Sequence, residues 1–328
     1  VYGSMSGLGD ATVKDIEVFV FGSGSDQAVG SSSNDTFYGN NGIDILQGKN
    51  GNDNLQGGNN NDNLYGGNGN DKLYGGNGND KLYGGNGNDK SYGQAGNDSL
   101  YMDAGNDTLD GGIGTDWLYV TGSTNSVVNL AETTAQITGY GTDIIKNIEN
   151  ASGGTGVDKF YGTTGNNILK GNNGNDILQG KNGNDNLQGG SGDDVLNGGA
   201  GNDKLYGDAG NDKMLGGSGN DVYYVDSTKD RVYETTSIAG SNTTDAGGTD
   251  QIYSTVSQHM DSYNGIKHVE HLTLQGDNNI YGVGNDNNNT ITGNSGNNTL
   301  KGRDGNDVLK GGAGNDKLYG DAGNDKML

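Results

Sequence analysis

Between Gly66 and Tyr92 the chain reads Gly-Gly-Asn-Gly-Asn-Asp-Lys-Leu-Tyr twice and then Gly-Gly-Asn-Gly-Asn-Asp-Lys-Ser-Tyr. A short fixed period constrains a fold more than any other sequence feature, because each unit must pack against copies of itself. Six residues of each unit carry turn chemistry: glycine reaches left-handed and tightly bent conformations, and Asn and Asp tolerate them. The closing Lys-Leu-Tyr alternates polar, apolar and polar-aromatic, the period of a short strand with Leu turned inward. Counting from the first glycine, Asp holds the sixth position, Lys the seventh, Leu the eighth and Tyr the ninth.

The sixth-position acid recurs without a slip at Asp26, Asp35, Asp44, Asp53, Asp62, Asp71, Asp80, Asp89, Asp98, Asp107 and Asp116. Its inward partners are Ala28, Phe37, Leu46, Leu55, Leu64, Leu73, Leu82, Ser91, Leu100, Leu109 and Leu118, so Ser91 marks a weak point. A second ladder runs through Asp158, Asn167, Asp176, Asp185, Asp194, Asp203, Asp212 and Asp221. The third begins with Asn278, Asn289 and Asn298 and continues with Asp307, Asp316 and Asp325. The eleven residues from Asn278 to Asn289 predict a two-residue insertion in one turn. The expected organisation is an irregular segment over 1–21 with a strand at Ile16–Phe21, repeat blocks at 22–120, 154–226 and 276–328, and spacers at 121–153 and 227–275. The spacers carry strand-like runs at Val127–Leu130, Asp143–Ile148 and Lys267–Leu274, expected to continue the coil with longer strands.

The units fit the pattern Gly-Gly-x-Gly-x-Asp-x-U-x, with U a large apolar residue, and the chain resembles the RTX family of secreted bacterial proteins. The resemblance implies a right-handed parallel β-roll or β-helix solenoid, all-β, that binds multiple calcium ions. It also implies export of an unfolded chain by a type I system and folding outside the cell. The run Gly-Thr-Asp-Ile-Ile-Lys-Asn-Ile-Glu-Asn and the segment Lys267–Leu274 resemble the spacers of that family. Residues Ala200 to Leu215 repeat as Ala313 to Leu328, so the third block is expected to be cut inside a longer array, with the export signal beyond it.

Composition alone points elsewhere. With 66 Gly among 328 residues, 29% apolar residues and a formal charge of −23, the chain has the profile of a disordered polypeptide. The charge opposes nucleic acid and anionic membrane surfaces, and no apolar run is long enough to insert in a membrane as a helix. Pro and Cys are absent, which excludes collagen, disulfides and thiolate metal sites. Order must therefore come from something besides the core.

The period says what. A nine-residue unit is too short to close a coil with a strand on each side, whereas eighteen residues suffice, so alternate units should stack in two parallel sheets. Asp71 would then lie over Asp89, and Asp80 over Asp98, at the strand spacing of about 4.8 Å. Two carboxylates at that distance repel by about 3.5 kcal/mol at an effective dielectric of 20. A hard cation with six to eight oxygen ligands removes the repulsion, and calcium suits an all-protein cage better than magnesium, which holds its water. The expected ligands are Asp35, Asp44, Asp53, Asp62, Asp71, Asp80, Asp89, Asp98, Asp107, Asp116, Asp158, Asp176, Asp185, Asp194, Asp203, Asp212, Asp221, Asp307, Asp316 and Asp325. Gly67, Gly69, Gly76, Gly78, Gly85 and Gly87 free the backbone to turn carbonyls towards the ion. One inward residue per nine is too small a core to offset ordering, so binding and folding should be coupled.

Outward, Tyr65, Tyr74, Tyr83 and Tyr92 form ladders beside Lys72, Lys81 and Lys90. Stacked Tyr stabilise neighbouring strands; they also offer a face for association or glycan contact. His259, His268 and His271 are read as packed or solvated, with the last two on opposite faces of one strand. No catalytic motif is present, and Glu149 and Glu270 read as structural residues of spacer strands. The expected function is a secreted calcium-binding structural protein of the bacterial surface (a surface layer, sheath, filament or adhesin stalk) that self-associates into layers or fibres. The alternative is the calcium-binding tail of an extracellular enzyme or toxin.

Overall fold

The structure, a computed structural model, describes residues 3–5, 11–12, 18–234, 246–260 and 266–328. Among these every regular element is a strand, and the chain divides into two compact units, Val1–Phe160 and Tyr161–Leu328.

In the first unit, strand Lys72–Asn77 pairs in parallel with Asn54–Asn59 and Lys90–Ala95. Strand Lys81–Asn86, next in sequence, lies in the other sheet between Asn63–Asn68 and Ser99–Met102. Leu73 faces Ser91 and Leu82 faces Leu100, eighteen residues on, so each coil consumes two units, one per sheet. The strands are longer than the three residues that alternation marks. Lys72–Asn77 runs on through Gly75 and Gly76, because pairing persists where Gly76 adopts φ 118° against Gly58.

Between the sheets, the eighth-position residues form two files. Leu46, Leu64, Leu82, Leu100 and Leu118 make one; Phe37, Leu55, Leu73, Ser91 and Leu109 make the other, all buried. Ser91 is 4% exposed, a hydroxyl in an otherwise apolar file. In the second unit one file runs through Leu169, Leu187, Leu205, Tyr223, Ile252, Leu272, Ile291 and Leu309.

The spacers stay in register but not as expected. Thr142–Lys146 continues the sheet of Thr108–Ile113, and Asn150–Ser152 continues that of Trp117–Val120. These strands are shorter than six-residue repeat strands such as Lys72–Asn77, and Ala135–Ile137 turns back antiparallel on Thr142–Lys146. The extra length therefore leaves the coil as an excursion between strands. Of Ile16–Phe21, Phe19–Phe21 is a strand, while Ile16 and Glu17 lie outside the described residues, as do parts of the 1–21 and 227–275 segments. His268 precedes the strand, which begins at His271, so the two histidines do not share one.

The two-residue insertion after Asn278 is also corrected. Tyr281 pairs with Thr299 and Gly282 with Leu300, which puts Ile280 at the sixth position and Gly282 at the eighth. The nine-residue step to Asn289 is kept, and Asn278 is an exposed loop residue. Leu272, Ile291 and Leu300 close around Gly282 and fill the space its missing side chain leaves.

Candidate metal centres

Each sixth-position side chain folds back under its own turn instead of pointing to solvent. Asp71 gives its N–H to Asp89 Oδ1 and accepts the N–H of Asp53 at its own Oδ1, both at 2.7 Å. The same link joins Asp26 to Asp44, Asp35 to Asp53, Asp44 to Asp62, Asp62 to Asp80, Asp80 to Asp98, Asp89 to Asp107 and Asp98 to Asp116. In the second block Asp176 is joined to Asp194, Asp185 to Asp203, Asp194 to Asp212, and Asp203 to Asp221. Asp307, Asp316 and Asp325 accept from Asn289, Asn298 and Asp307; Asp307 is buried, the other two half-buried.

The second oxygen tells a different story. Oδ2 of Asp44, Asp53, Asp62, Asp71, Asp80, Asp89, Asp98, Asp107 and Asp116 is buried with no donor. The same holds for Asp185, Asp194, Asp203, Asp212, Asp221 and Asp307. Buried carboxylate oxygens without donors are costly unless a cation meets them. A Cβ on Gly66 would stand 2.5 Å from both Asp71 Oδ2 and the carbonyl oxygen of Gly84, the first residue of the turn one coil on. Carboxylate and carbonyl oxygens thus converge on a cradle that only glycine leaves open. At the second and fourth positions Gly67, Gly76 and Gly85 take φ 104–118° and Gly69, Gly78 and Gly87 φ 135–136°. A Cβ on Gly69 would overlap the carbonyl oxygen of Gly51 in the coil before. Asn60, which replaces one fourth-position glycine, still adopts φ 80°.

The electrostatics agree. Burial pushes Asp53, Asp62, Asp89 and Asp185 up to about 7, against the N–H bond each accepts, and repulsion from neighbouring coils adds to the rise in each. Burial likewise holds Asp44, Asp80, Asp98 and Asp203 at about 6. An all-oxygen, carboxylate-rich set of this kind fits a hard divalent cation.

Several acids outside the nonapeptides join the columns. Asp107 donates to Asp143 Oδ1, Asp116 to Glu149 Oε2, Asp212 to Asp230 Oδ1, Asp221 to Asp250 Oδ1, and Asp250 to Glu270 Oε2. Glu149 and Glu270 are therefore not strand residues; each stands just before a strand, in the sixth-position role. The legible signal is an acid two residues before a buried apolar or small residue, as in Asp143-Ile144-Ile145, Glu149-Asn150-Ala151 and Asp250-Gln251-Ile252. Asp103 beside Asp89 and Asp107, and Glu234 beside Asp221 and Asp250, bring three acids within 4.8 Å in two places. Burial lifts Glu234 to about 10, and its carboxyl accepts the Tyr223 hydroxyl.

Residues 22–55, 38–73, 56–90, 65–100, 83–118, 152–187, 188–223, 283–318 and 302–327 match the family described as the RTX calcium-binding nonapeptide repeat. The matches together span more than half of the chain. The chain belongs to the RTX calcium-binding nonapeptide-repeat family. No curated protein matches the chain by sequence. An RTX β-roll is a structural calcium-binding repeat, and the parallel coils described above are that fold.

The Tyr ladders are stacked. Tyr65, Tyr83, Tyr101 and Tyr119 lie face to face with centroids 4.7, 3.9 and 5.0 Å apart, and Tyr74 on Tyr92 at 5.1 Å. The rings meet one another from coil to coil.

Proposed function

We propose that this calcium-binding repeat protein is a secreted structural module whose coils are assembled by calcium held in the acidic columns. Asp44 to Asp116, Asp185 to Asp221 and Asp307 would supply the carboxylates, and first-position glycines such as Gly84 the carbonyls. The observation that carries the reading is the run of buried, donorless Oδ2 atoms, one per turn over successive coils. Intracellular calcium in bacteria is too low to fill sites in the range of about 10⁻⁴–10⁻³ M usual for extracellular modules, which favours folding outside the cell. The roles that suit a calcium-stiffened coil are a surface layer, sheath, filament or adhesin stalk.

Electron microscopy and small-angle scattering with calcium and with chelator test this. The expected outcome is an expanded chain in chelator and rods, layers or fibres in calcium. Rods of equal dimensions in both conditions overturn the calcium-assembled module. Dispersed monomers at saturating calcium overturn the assembly role alone.

A further inference from the structure

Not every turn leaves its acid exposed to a cation. At Asp35 and Asp158 the second oxygen already accepts an N–H, from Ser31 at 2.8 Å and Gly154 at 3.0 Å. Asp230 accepts from Ser227 at 3.0 Å, and Asn167, Asn289 and Asn298 from Thr163, Asn285 and Asn294, each at 2.8 Å. A backbone difference separates most of the turns, one exception being the donorless turn of Asp107, whose second residue, Asp103, is not left-handed. In the donorless turns around Asp44 to Asp98 the second-position residue is left-handed, whether Asn40, Lys49, Gly67 or Gln94, and no donor reaches Oδ2. Ser31, Gly154, Thr163, Asn285 and Asn294 are not left-handed, and their N–H groups point at the sixth-position side chain.

In the asparagine turns the lock is reciprocal. Asn167 Nδ2 donates to Thr163 Oγ1 at 3.1 Å, Asn289 Nδ2 to Asn285 Oδ1 at 3.0 Å, and Asn298 Nδ2 to Asn294 Oδ1 at 2.8 Å. Nitrogen donors also bridge to the coil before. Asn285 Nδ2 reaches the carbonyl of Val269 at 2.8 Å, and Asn294 Nδ2 those of Gln275 and Asn278 at 3.0 Å each. The ammonium of Lys181 meets the carbonyl of Gly162, first residue of the Asn167 turn, at 2.6 Å.

We infer that the turns at Asn167, Asn289 and Asn298 take no calcium, because amide and ammonium donors bridge their coils where the ladder turns use an ion. The inference rests on the calcium reading of the ladder. An N–H aimed at the sixth-position oxygen occupies the direction from which a cation would approach, and a carboxamide brings no charge to hold one. Asp35, Asp158 and Asp230 share the backbone half of this lock. The locked turns lie near the beginnings of the repeat blocks and, at Asp230, just past the end of the second, so the array carries metal-free coils beside its metal-dependent ones.

Equilibrium dialysis against calcium tests this on the full chain, comparing wild type with N285G/N289D, which restores glycine and carboxylate to one locked turn. The variant should bind one more ion per molecule. Hydrogen exchange of the folded wild type, compared at two calcium concentrations above saturation, gives a second reading that needs no variant: amides of 66–71 should exchange more slowly at the higher concentration, since opening there releases an ion, whereas those of 163–167 and 285–298 should exchange at the same rate in both. An unchanged ion count, or equal calcium dependence of exchange in the two kinds of turn, overturns the inference. A wild type that binds no calcium at all overturns the underlying calcium reading instead.

Discussion

The buried Oδ2 atom is the smallest unit of this architecture. It lies next to a carbonyl oxygen, with no N–H in reach, and the glycine beneath it cannot be replaced without striking both. Asp89→Asn keeps the shape and removes the charge; it should cost on the order of 2 kcal/mol of calcium-loaded stability, by analogy with lost charged hydrogen bonds. Denaturant melts in saturating calcium would show this, and the difference should vanish in chelator. Gly69→Ala should cost about 1–3 kcal/mol or more, because the φ of 136° is unfavourable for alanine and the new Cβ meets Gly51. Ser91→Leu should act in the opposite direction. Leu73 and Leu109 occupy the same lattice position one coil away on either side, so the added leucine has a ready place and should contribute about 1.5–3 kcal/mol in the same melts.

At the scale of a strand and its turn, the alternation Lys-Leu-Tyr fixes which side chains point inward, and the eighth-position files are legible residue by residue, Ser91 included. What the nonapeptide pattern hides is the spacer register. Glu149, Glu270, Asp143 and Asp250 hold sixth-position roles at separations of 20 to 36 residues from their column neighbours, because the chain inserts loops between coils without moving the acid-x-apolar triad. Asn278 misled for the complementary reason: it continues the Asn pattern, but hydrogen-bonded register with Thr299 and Leu300 selects Ile280 and Gly282. The closed turns were equally out of reach of composition, since Asn289 and Asp307 differ in chemistry while the decisive change is the backbone of the residue four earlier. Stacking is another element-level property. Tyr83 touches a ring on both sides, whereas Tyr38 faces Gln56. Tyr83→Ala should therefore cost about 1–2 kcal/mol and Tyr38→Ala less, as a calcium-loaded thermal melt of each would show.

For the whole molecule, the columns make protons and calcium rivals. Asp53, Asp62, Asp89 and Asp185 are raised to about 7 in the metal-free coil, far above an unfolded aspartate near about 3.9. A raised folded value means the coil binds protons that the unfolded chain releases. Metal-free stability is then full below about pH 4 and lost as pH rises towards 7. In chelator, strand content should grow as pH is lowered from 7.5 to 4, and calcium binding near pH 6 should release protons. The central claim is that cations lodged in these columns decide whether the coil exists at neutral pH. Far-UV circular dichroism during a calcium titration at pH 7.5, started in excess chelator, tests it most directly. The account requires a disordered spectrum that converts cooperatively to β-structure as calcium is added; a full β-spectrum already present in chelator, unmoved by calcium, would contradict it.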